Sequence, residues 1–164
     1  MSPTPDYFAL LDVSRSLSPN AAGLRRKFYA QSALHHPDRM ANAGAEAQSD
    51  ALQKTALLNE ALRVLSHPML RLAHVLTLEG HPLPENYTLP PAFMMEMMEL
   101  NELAEDSPEA AAAQLAELES DWQQNLDALT SRYEDGERSE GLFKSFQEAY
   151  FRKKYLERAK VNPS

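Results

Sequence analysis

The chain has 164 residues, of which 43% are hydrophobic, and it carries a formal charge of −8 at pH 7. A chain of this length and composition forms one domain or two small ones and buries a core without metal ions or disulfides. Because it contains no cysteine, disulfides, thiolate zinc sites, cysteine catalysis and cysteine-held iron–sulfur clusters are excluded. The negative charge argues against general binding of nucleic acid, which depends on clustered Lys and Arg.

The first residues of the chain resemble no targeting segment. Met-Ser-Pro-Thr-Pro-Asp-Tyr contains no basic stretch followed by an apolar one, and it lacks the Arg-rich character of a presequence. A membrane-spanning helix needs about 18 consecutive apolar residues, and the sequence contains no such run. We therefore expect a cytoplasmic protein that does not insert into membranes.

The first half of the chain is predicted to be helical. Glycine is scarce and β-branched residues are sparse, whereas Ala, Leu, Glu, Gln and Arg are abundant, so propensity and periodicity both favour helices over strands. Ser18 is the expected N-cap of the second helix, with Pro19 at its first position. The predicted helices cover residues 6–13, 19–35, 46–65 and 68–80.

A proline-rich segment separates the two halves. Residues 80–91 contain four prolines, too many for a helix interior, and we place a linker at 79–91 between a domain at 1–78 and a domain at 92–164. Behind the linker the apolar spacing predicts three helices, and Ser107-Pro108-Glu109 is a good helix start. These helices cover residues 92–104, 108–133 and 140–160. The predicted fold class is all-α, with a helical hairpin followed by a three-helix bundle.

The tripeptide His36-Pro37-Asp38, here called the His-Pro-Asp turn, is the most informative short segment. It follows a basic helical run at 24–35. Pro37 should end that helix and hold its neighbours in extended geometry, so that His36 and Asp38 project from the tip between two helices. The tripeptide alone is typical of any helix-ending loop. Its position at such a tip indicates a surface that faces a partner.

Roughly the first 75 residues resemble the J-domain, the co-chaperone module that stimulates ATP hydrolysis by DnaK-type chaperones. The resemblance is carried by the segment at 6–11, the basic helix, the His-Pro-Asp turn with Arg39, and the segment at 58–68. It implies that basic side chains steer the helix to an acidic face of the chaperone and that the turn triggers hydrolysis. The implied chaperone-binding residues are Arg25, Arg26, Lys27, His36, Pro37, Asp38 and Arg39.

Two features depart from the J-domain pattern. Tyr29, Ala30 and Leu34 occupy positions of the second helix that are often basic in that family. Leu11 stands where a glycine usually follows the early Tyr-x-x-Leu. The less basic helix implies a dedicated chaperone partner rather than a broad choice of chaperones.

The second half narrows the resemblance to the HscB family, the co-chaperones of iron–sulfur cluster assembly. The segments at 71–80 and 92–100 look like those of HscB proteins, and the resemblance then extends over nearly the whole chain. It implies two partners, an HscA-type (DnaK-class) ATPase chaperone and an iron–sulfur cluster scaffold protein. The implied function is to stimulate the ATPase of that chaperone and to deliver the scaffold protein to it.

A helical wheel of the first helix behind the linker separates two faces. At about 100° per residue, Phe93, Met97, Leu100 and Ala104 fall together and should face the core. The other methionines point elsewhere, beside carboxylates, and exposed apolar groups framed in this way favour recognition of a partner. The alternative is a doubly buried helix in which methionines fill gaps. The predicted scaffold-binding residues of this helix, here called the methionine surface, are Met94, Met95, Met98, Glu99 and Glu102.

The last helix contributes two candidate aromatic residues. Phe151 and Tyr155 lie off its predicted core stripe, one turn apart. The segment at 155–158 best matches the aromatic contact of the HscB family, so the resemblance gives scaffold binding to Tyr155, with Phe151 as the alternative; burial against the bundle would also explain either residue. Residues 92–121 contain nine acidic side chains and no Lys or Arg, and we expect most of them to be solvated.

Catalysis and metal binding by the chain itself are not expected. His35 and His36 are adjacent and would point about 100° apart on a helix, whereas a metal site needs several convergent ligands. No Ser-His-Asp order, Gly-rich phosphate loop or His-x-x-x-His pair accompanies them. We therefore predict no catalytic residue, no metal ligand and no cofactor, and we expect His74 to be structural or exposed. The alternative function is a J-domain adaptor for a different client, recognised by the methionine surface.

Overall fold

The structure is a computed structural model that describes residues 4–40, 42 and 44–161, without the side chains of Pro37, Met40, Lys160 and Val161. The described residues form helices, turns and loops but no strand, and the predicted all-α class is confirmed. The chain divides into two compact units, Met1–Pro82 and Leu83–Ser164. The helices are α1 (Tyr7–Leu10), α2 (Ala21–Leu34), a 3₁₀ helix (Pro37–Met40), α3 (Ala45–Ser66), α4 (Pro68–Leu78), α5 (Pro91–Asp106), α6 (Pro108–Glu134) and α7 (Glu140–Val161).

Two aspartates set the ends of α1. The carboxylate of Asp6 accepts hydrogen bonds from the backbone N–H groups of Phe8 and Ala9 at 3.0 and 3.2 Å, as an N-cap does. The prediction that this helix reaches residue 13 is wrong, because Asp12 adopts a left-handed backbone with φ 58°, which Asp tolerates better than most residues. Leu11 is fully buried. The left-handed conformation that favours glycine therefore occurs at the residue after Leu11, and Leu11 itself is a core residue.

α2 and α3 pack against each other. α2 begins later than predicted, because Asn20 rather than Ser18 is the N-cap, with its side-chain oxygen 2.7 Å from the N–H of Gly23. Pro19 consequently precedes the helix. Leu24 is the buried residue of α2, whereas α3 buries five residues, Ala51, Leu58, Ala61, Val64 and Leu65. Most of α2 is thus open to solvent, as a docking helix requires.

His74 of α4 joins α1 to the core of the first unit. Its side chain is buried, stacks on the rings of Tyr7 and Phe8, and its Nε2 accepts the backbone N–H of Tyr7 at 3.1 Å. Burial lowers the pKa of His74, an effect that Arg15 reinforces and Asp6 opposes. The imidazole is therefore neutral at pH 7 and structural, one of its two predicted roles.

The second unit is a bundle in which α6 packs against both α5 and α7. α5 begins at Pro91 and α6 at Pro108, and proline suits the first helical position because its missing N–H needs no partner there. The buried indole of Trp122 donates its N–H to the backbone carbonyl of Ala149 at 2.7 Å, which ties α6 to α7. The buried side chains of this unit include Phe93, Met97, Leu100, Trp122, Leu129, Tyr133, Leu142, Phe143, Phe146, Ala149 and Leu156.

Candidate functional site

The His-Pro-Asp turn joins α2 to α3 and is open to solvent. The side chain of His36 is 55% exposed and that of Asp38 is 93% exposed. The backbone N–H of Asp38 donates to Nδ1 of His36 at 3.2 Å, and this bond assigns the proton of the neutral imidazole to Nε2. Oδ2 of Asp38 lies 3.5 Å from the same Nδ1. The turn therefore offers a partner one N–H donor and one solvated carboxylate side by side.

The prediction that Pro37 keeps its neighbours extended is wrong for Asp38, which belongs to the 3₁₀ helix. The N–H of Arg39 donates to the carbonyl of His36 at 3.0 Å and closes the turn. The fixed φ of proline fits a 3₁₀ helix as well as an extended chain, and only the residue before proline is kept out of the helical region. The ring of Pro37 lies outside the described side chains, so its contact with a partner stays a prediction.

The basic residues Arg25, Arg26 and Lys27 of α2 are exposed, as is Arg39 after the turn. Nζ of Lys27 lies 3.0 Å from Oδ2 of Asp12, and such an exposed pair contributes little to stability. Among the residues that the structure describes, Arg25 and Arg26 form no ion pair. The charges of Arg25 and Arg26 are thus available to attract an acidic partner, and that of Lys27 is only weakly paired with Asp12.

An exposed apolar surface on α2 was not predicted as a site. The side chains of Tyr29 and Leu34 are 66% and 56% exposed. A groove of about 650 Å³ runs along the same helix, and Leu24, Arg26 and Lys27 are among its lining residues. Its signal in the sequence was two apolar residues, Tyr29 and Leu34, that do not share the helix face of the buried Leu24. The candidate chaperone surface is therefore partly apolar as well as basic.

The methionine surface lies on α5 and is exposed at its centre. Met95 is 60% exposed and Met98 is 61% exposed. Glu99 and Glu102 are exposed beside them, and Met94 is half-buried. The predicted apolar patch framed by carboxylates is therefore present, and its role in binding stays a prediction.

The opposite face of α5 is buried. Met97 is only 6% exposed and belongs with Phe93 and Leu100 to the core of the second unit. The alternative of a doubly buried helix is wrong for α5, because burial alternates sharply between Met97 and its neighbours. One helix thus carries a structural methionine and exposed ones within four residues.

The two candidate aromatic residues of α7 are both half-buried. The ring of Phe151 stacks on Tyr87, with centroids 4.6 Å apart and planes within 8°, so the segment before α5 covers one face of it. The ring of Tyr155 meets Phe93 edge to face, with centroids 6.2 Å apart. Phe93 is a core residue of the second unit, so this contact ties Tyr155 to the buried side of α5. The choice between Tyr155 and Phe151 as the scaffold-binding residue stays a prediction.

Within 4–40, 42 and 44–161, no group of three or more His, Asp and Glu side chains is arranged to hold a metal ion. In the same part of the chain, no helix combines the length and the apolar character needed to cross a membrane.

Comparisons with known proteins agree on one family. Residues 89–162 match the family described as the HSCB C-terminal oligomerisation domain. The chain is 37% identical over 119 residues to the co-chaperone protein HscB homolog of Bordetella pertussis, and this match covers 70% of each chain. It is 34% identical over 116 residues to the human iron–sulfur cluster co-chaperone protein HscB, which covers 69% of this chain and 49% of that one. The match therefore spans about half the length of the human relative.

Solved structures of HscB proteins have the same fold. The crystal structure of human co-chaperone protein HscB matches with a TM-score of 0.73 and 29% identity, over 98% of this chain and 83% of that one. The chaperone HscB from Vibrio cholerae matches with a TM-score of 0.66 and 25% identity, over 96% of this chain and 98% of that one. Residues of both compact units are thus included in these matches.

Proposed function

The chain belongs to the HscB family of co-chaperones, and we propose that it stimulates ATP hydrolysis by a DnaK/HscA-type chaperone and delivers an iron–sulfur cluster scaffold protein to that chaperone. The human relative is named an iron–sulfur cluster co-chaperone, which supports this area of function. The observation that carries the proposal is the exposed His-Pro-Asp turn at the end of a basic helix. The location in the cytoplasm stays a prediction.

The first unit acts on the chaperone in two steps. Arg25 and Arg26 attract an acidic face of the chaperone over a distance of about one Debye length and raise the association rate. At contact, Nε2–H of His36 donates to the chaperone and the carboxylate of Asp38 accepts from it. The nucleotide is hydrolysed in the chaperone, so this chain supplies contacts and no catalytic group.

The second unit binds the scaffold protein through the methionine surface and Tyr155. Thioether side chains adapt to an irregular apolar partner, and the exposed Met95 and Met98 offer such contacts. Glu99 and Glu102 favour a partner with basic residues at the rim of its apolar patch. A scaffold with that pattern would be held by burial at the centre and by charge at the edge.

One chain that carries both surfaces raises the local concentration of the scaffold at the chaperone. A tethered partner binds as if at a concentration set by the linker, and this enhances binding without any new contact. The proposal therefore predicts that the intact chain stimulates the chaperone more strongly when the scaffold is present.

The test is the steady-state ATPase rate of the chaperone with and without this chain, and with and without the scaffold. His36→Gln should abolish stimulation and leave scaffold affinity intact, because glutamine cannot reproduce the imidazole donor geometry. His35→Gln is the matched control, since His35 is the neighbouring half-buried C-cap of α2 and its change should leave most stimulation.

Two outcomes would contradict this division of labour. Stimulation by the His36→Gln protein equal to that of the wild type would remove the His-Pro-Asp turn from the mechanism. Loss of both activities in a folded His36→Gln protein would show that the two surfaces are not separate. Full stimulation together with no scaffold binding would instead support the alternative, a J-domain adaptor for a different client.

A further inference from the structure

Met95 and Met98 place two exposed thioethers at the centre of the methionine surface, on a chain that has no cysteine. We propose that these two side chains are oxidation sites, and that their conversion to sulfoxides by hydrogen peroxide releases the scaffold protein. This inference rests on the proposed scaffold binding and adds to it a chemical control of the same surface.

The reaction needs only the thioether and the peroxide. The sulfur gives two electrons to hydrogen peroxide, an S=O bond forms, the O–O bond breaks and the second oxygen leaves as water. The product is a polar sulfoxide in place of an apolar side chain. Because a polar oxygen without a hydrogen-bond partner is costly to bury, the oxidised surface no longer suits an apolar partner.

Burial makes the reaction selective within one helix. Met95 and Met98 are 60% and 61% exposed, whereas Met97, between them, is 6% exposed. Peroxide therefore reaches the binding methionines and spares the core one, so oxidation changes the surface without unfolding the bundle. The carboxylates of Glu99 and Glu102 repel anionic oxidants but not neutral hydrogen peroxide.

The sites are mapped before binding is measured. The purified chain is treated with hydrogen peroxide, and catalase then removes the peroxide so that the scaffold is never exposed to it. Cleavage after Phe93 and Leu100 gives one peptide that contains all four methionines of α5, and fragmentation in a mass spectrometer assigns each oxygen. We expect sulfoxide at Met95 and Met98 and an unmodified Met97.

Scaffold affinity is then measured by titration calorimetry with the iron–sulfur cluster scaffold protein. The oxidised wild type should bind about tenfold more weakly than the reduced form, and methionine sulfoxide reductases A and B should restore binding. Met95→Leu combined with Met98→Leu keeps the apolar volume and should make binding insensitive to peroxide. Met97→Leu is the matched control and should leave the peroxide effect unchanged.

The proposal and its premise fail in different ways. If Met95 and Met98 are converted to sulfoxides and scaffold affinity is unchanged, the oxidation inference alone is overturned. It is also overturned if peroxide lowers the scaffold affinity of the double leucine variant as much as that of the wild type. Absence of binding by the reduced wild type overturns the scaffold half of the proposed function as well. If the double leucine variant binds the scaffold weakly even without peroxide, it cannot serve as the control. The reductase experiment on the wild type then decides, and scaffold affinity that the reductases do not restore overturns the inference.

Discussion

Changing Met95 and Met98 together to alanine should weaken scaffold binding without weakening the fold. Full burial of a methionine side chain contributes about 1.5–3 kcal/mol. Some 60% of each side chain is still exposed in the free chain, which leaves roughly 1–2 kcal/mol per residue for the complex. Because alanine keeps the first carbon, we expect a loss of about 2 kcal/mol for the pair, or a rise in Kd of about 30-fold.

The assay is titration calorimetry of the scaffold protein with the wild type and the variant. Leu52→Ala is a control, because Leu52 is 59% exposed on α3 of the first unit and its truncation removes an apolar side chain with the same fractional exposure as each methionine. We expect the scaffold Kd of the Leu52→Ala protein to stay within about twofold of the wild type. Urea denaturation should show that both variants keep the wild-type free energy of unfolding to within about 0.5 kcal/mol.

Two results would refute this reasoning. A Kd that rises less than about threefold in the double alanine variant would mean that the methionine surface lies outside the scaffold interface. An equal rise in the Leu52→Ala protein would mean that the loss reflects exposed apolar area in general and not this patch.

Three further predictions concern charge, packing and pH. Arg25→Ala with Arg26→Ala should slow association with the chaperone and reduce the salt dependence of that rate, as stopped-flow measurements at low and high salt would show; unchanged rates would contradict it. Trp122→Phe removes the N–H donated to Ala149 and should lower the free energy of unfolding by about 1–2 kcal/mol, and an unchanged urea midpoint would contradict it. Burial lowers the pKa of His74 below 6.5, so the unfolded chain binds the proton more readily. The contribution of neutral His74 to the free energy of unfolding is complete above pH 6.5 and is lost as the pH falls through the lowered pKa of the folded state. Urea denaturation at several pH values should therefore show a weaker pH dependence of that free energy in His74→Gln.

The long helices were predicted closely because several signals in the sequence agreed on them. Pro68 and Pro108 each begin a helix as expected, since proline at the first position costs no hydrogen bond. In α6, Trp122, Leu129 and Tyr133 share the helix period and are buried. Periodicity of this length is difficult to produce by chance, and it determined both the helices and their core faces.

The short elements were predicted less well because tertiary contacts decide them. Ser18 and Asn20 are both good N-caps, and nothing local in the sequence chooses Asn20. Asp12 has a left-handed backbone conformation. A glycine at this position would have predicted that conformation, whereas an aspartate does not. The 3₁₀ helix at the His-Pro-Asp turn likewise could not be predicted from the sequence, because the φ angle of proline is compatible with both a 3₁₀ helix and an extended chain.

The candidate site shows the same contrast. Exposure of Met95 and Met98 followed from the wheel alone, because the two faces of one helix are set by local sequence. The stacking of Tyr87 on Phe151 did not, because Tyr87 lies more than sixty residues earlier in the chain. Local periodicity predicts a face, whereas contacts between distant segments decide which residues of that face stay available.

The two candidate surfaces differ in charge, and under the proposed function this difference would keep the two partners apart. α2 presents Arg25 and Arg26 and leads into the His-Pro-Asp turn, whereas the methionine surface presents Glu99 and Glu102 in a stretch without Lys or Arg. Under that proposal, a chaperone face acidic enough to bind α2 would be repelled by the carboxylates of α5, and a scaffold with a basic rim would be repelled by α2. Repulsion of the wrong partner adds to attraction of the right one. Charge reversal at Glu99 and Glu102 should therefore reduce scaffold binding and also allow the chaperone to bind at the wrong surface.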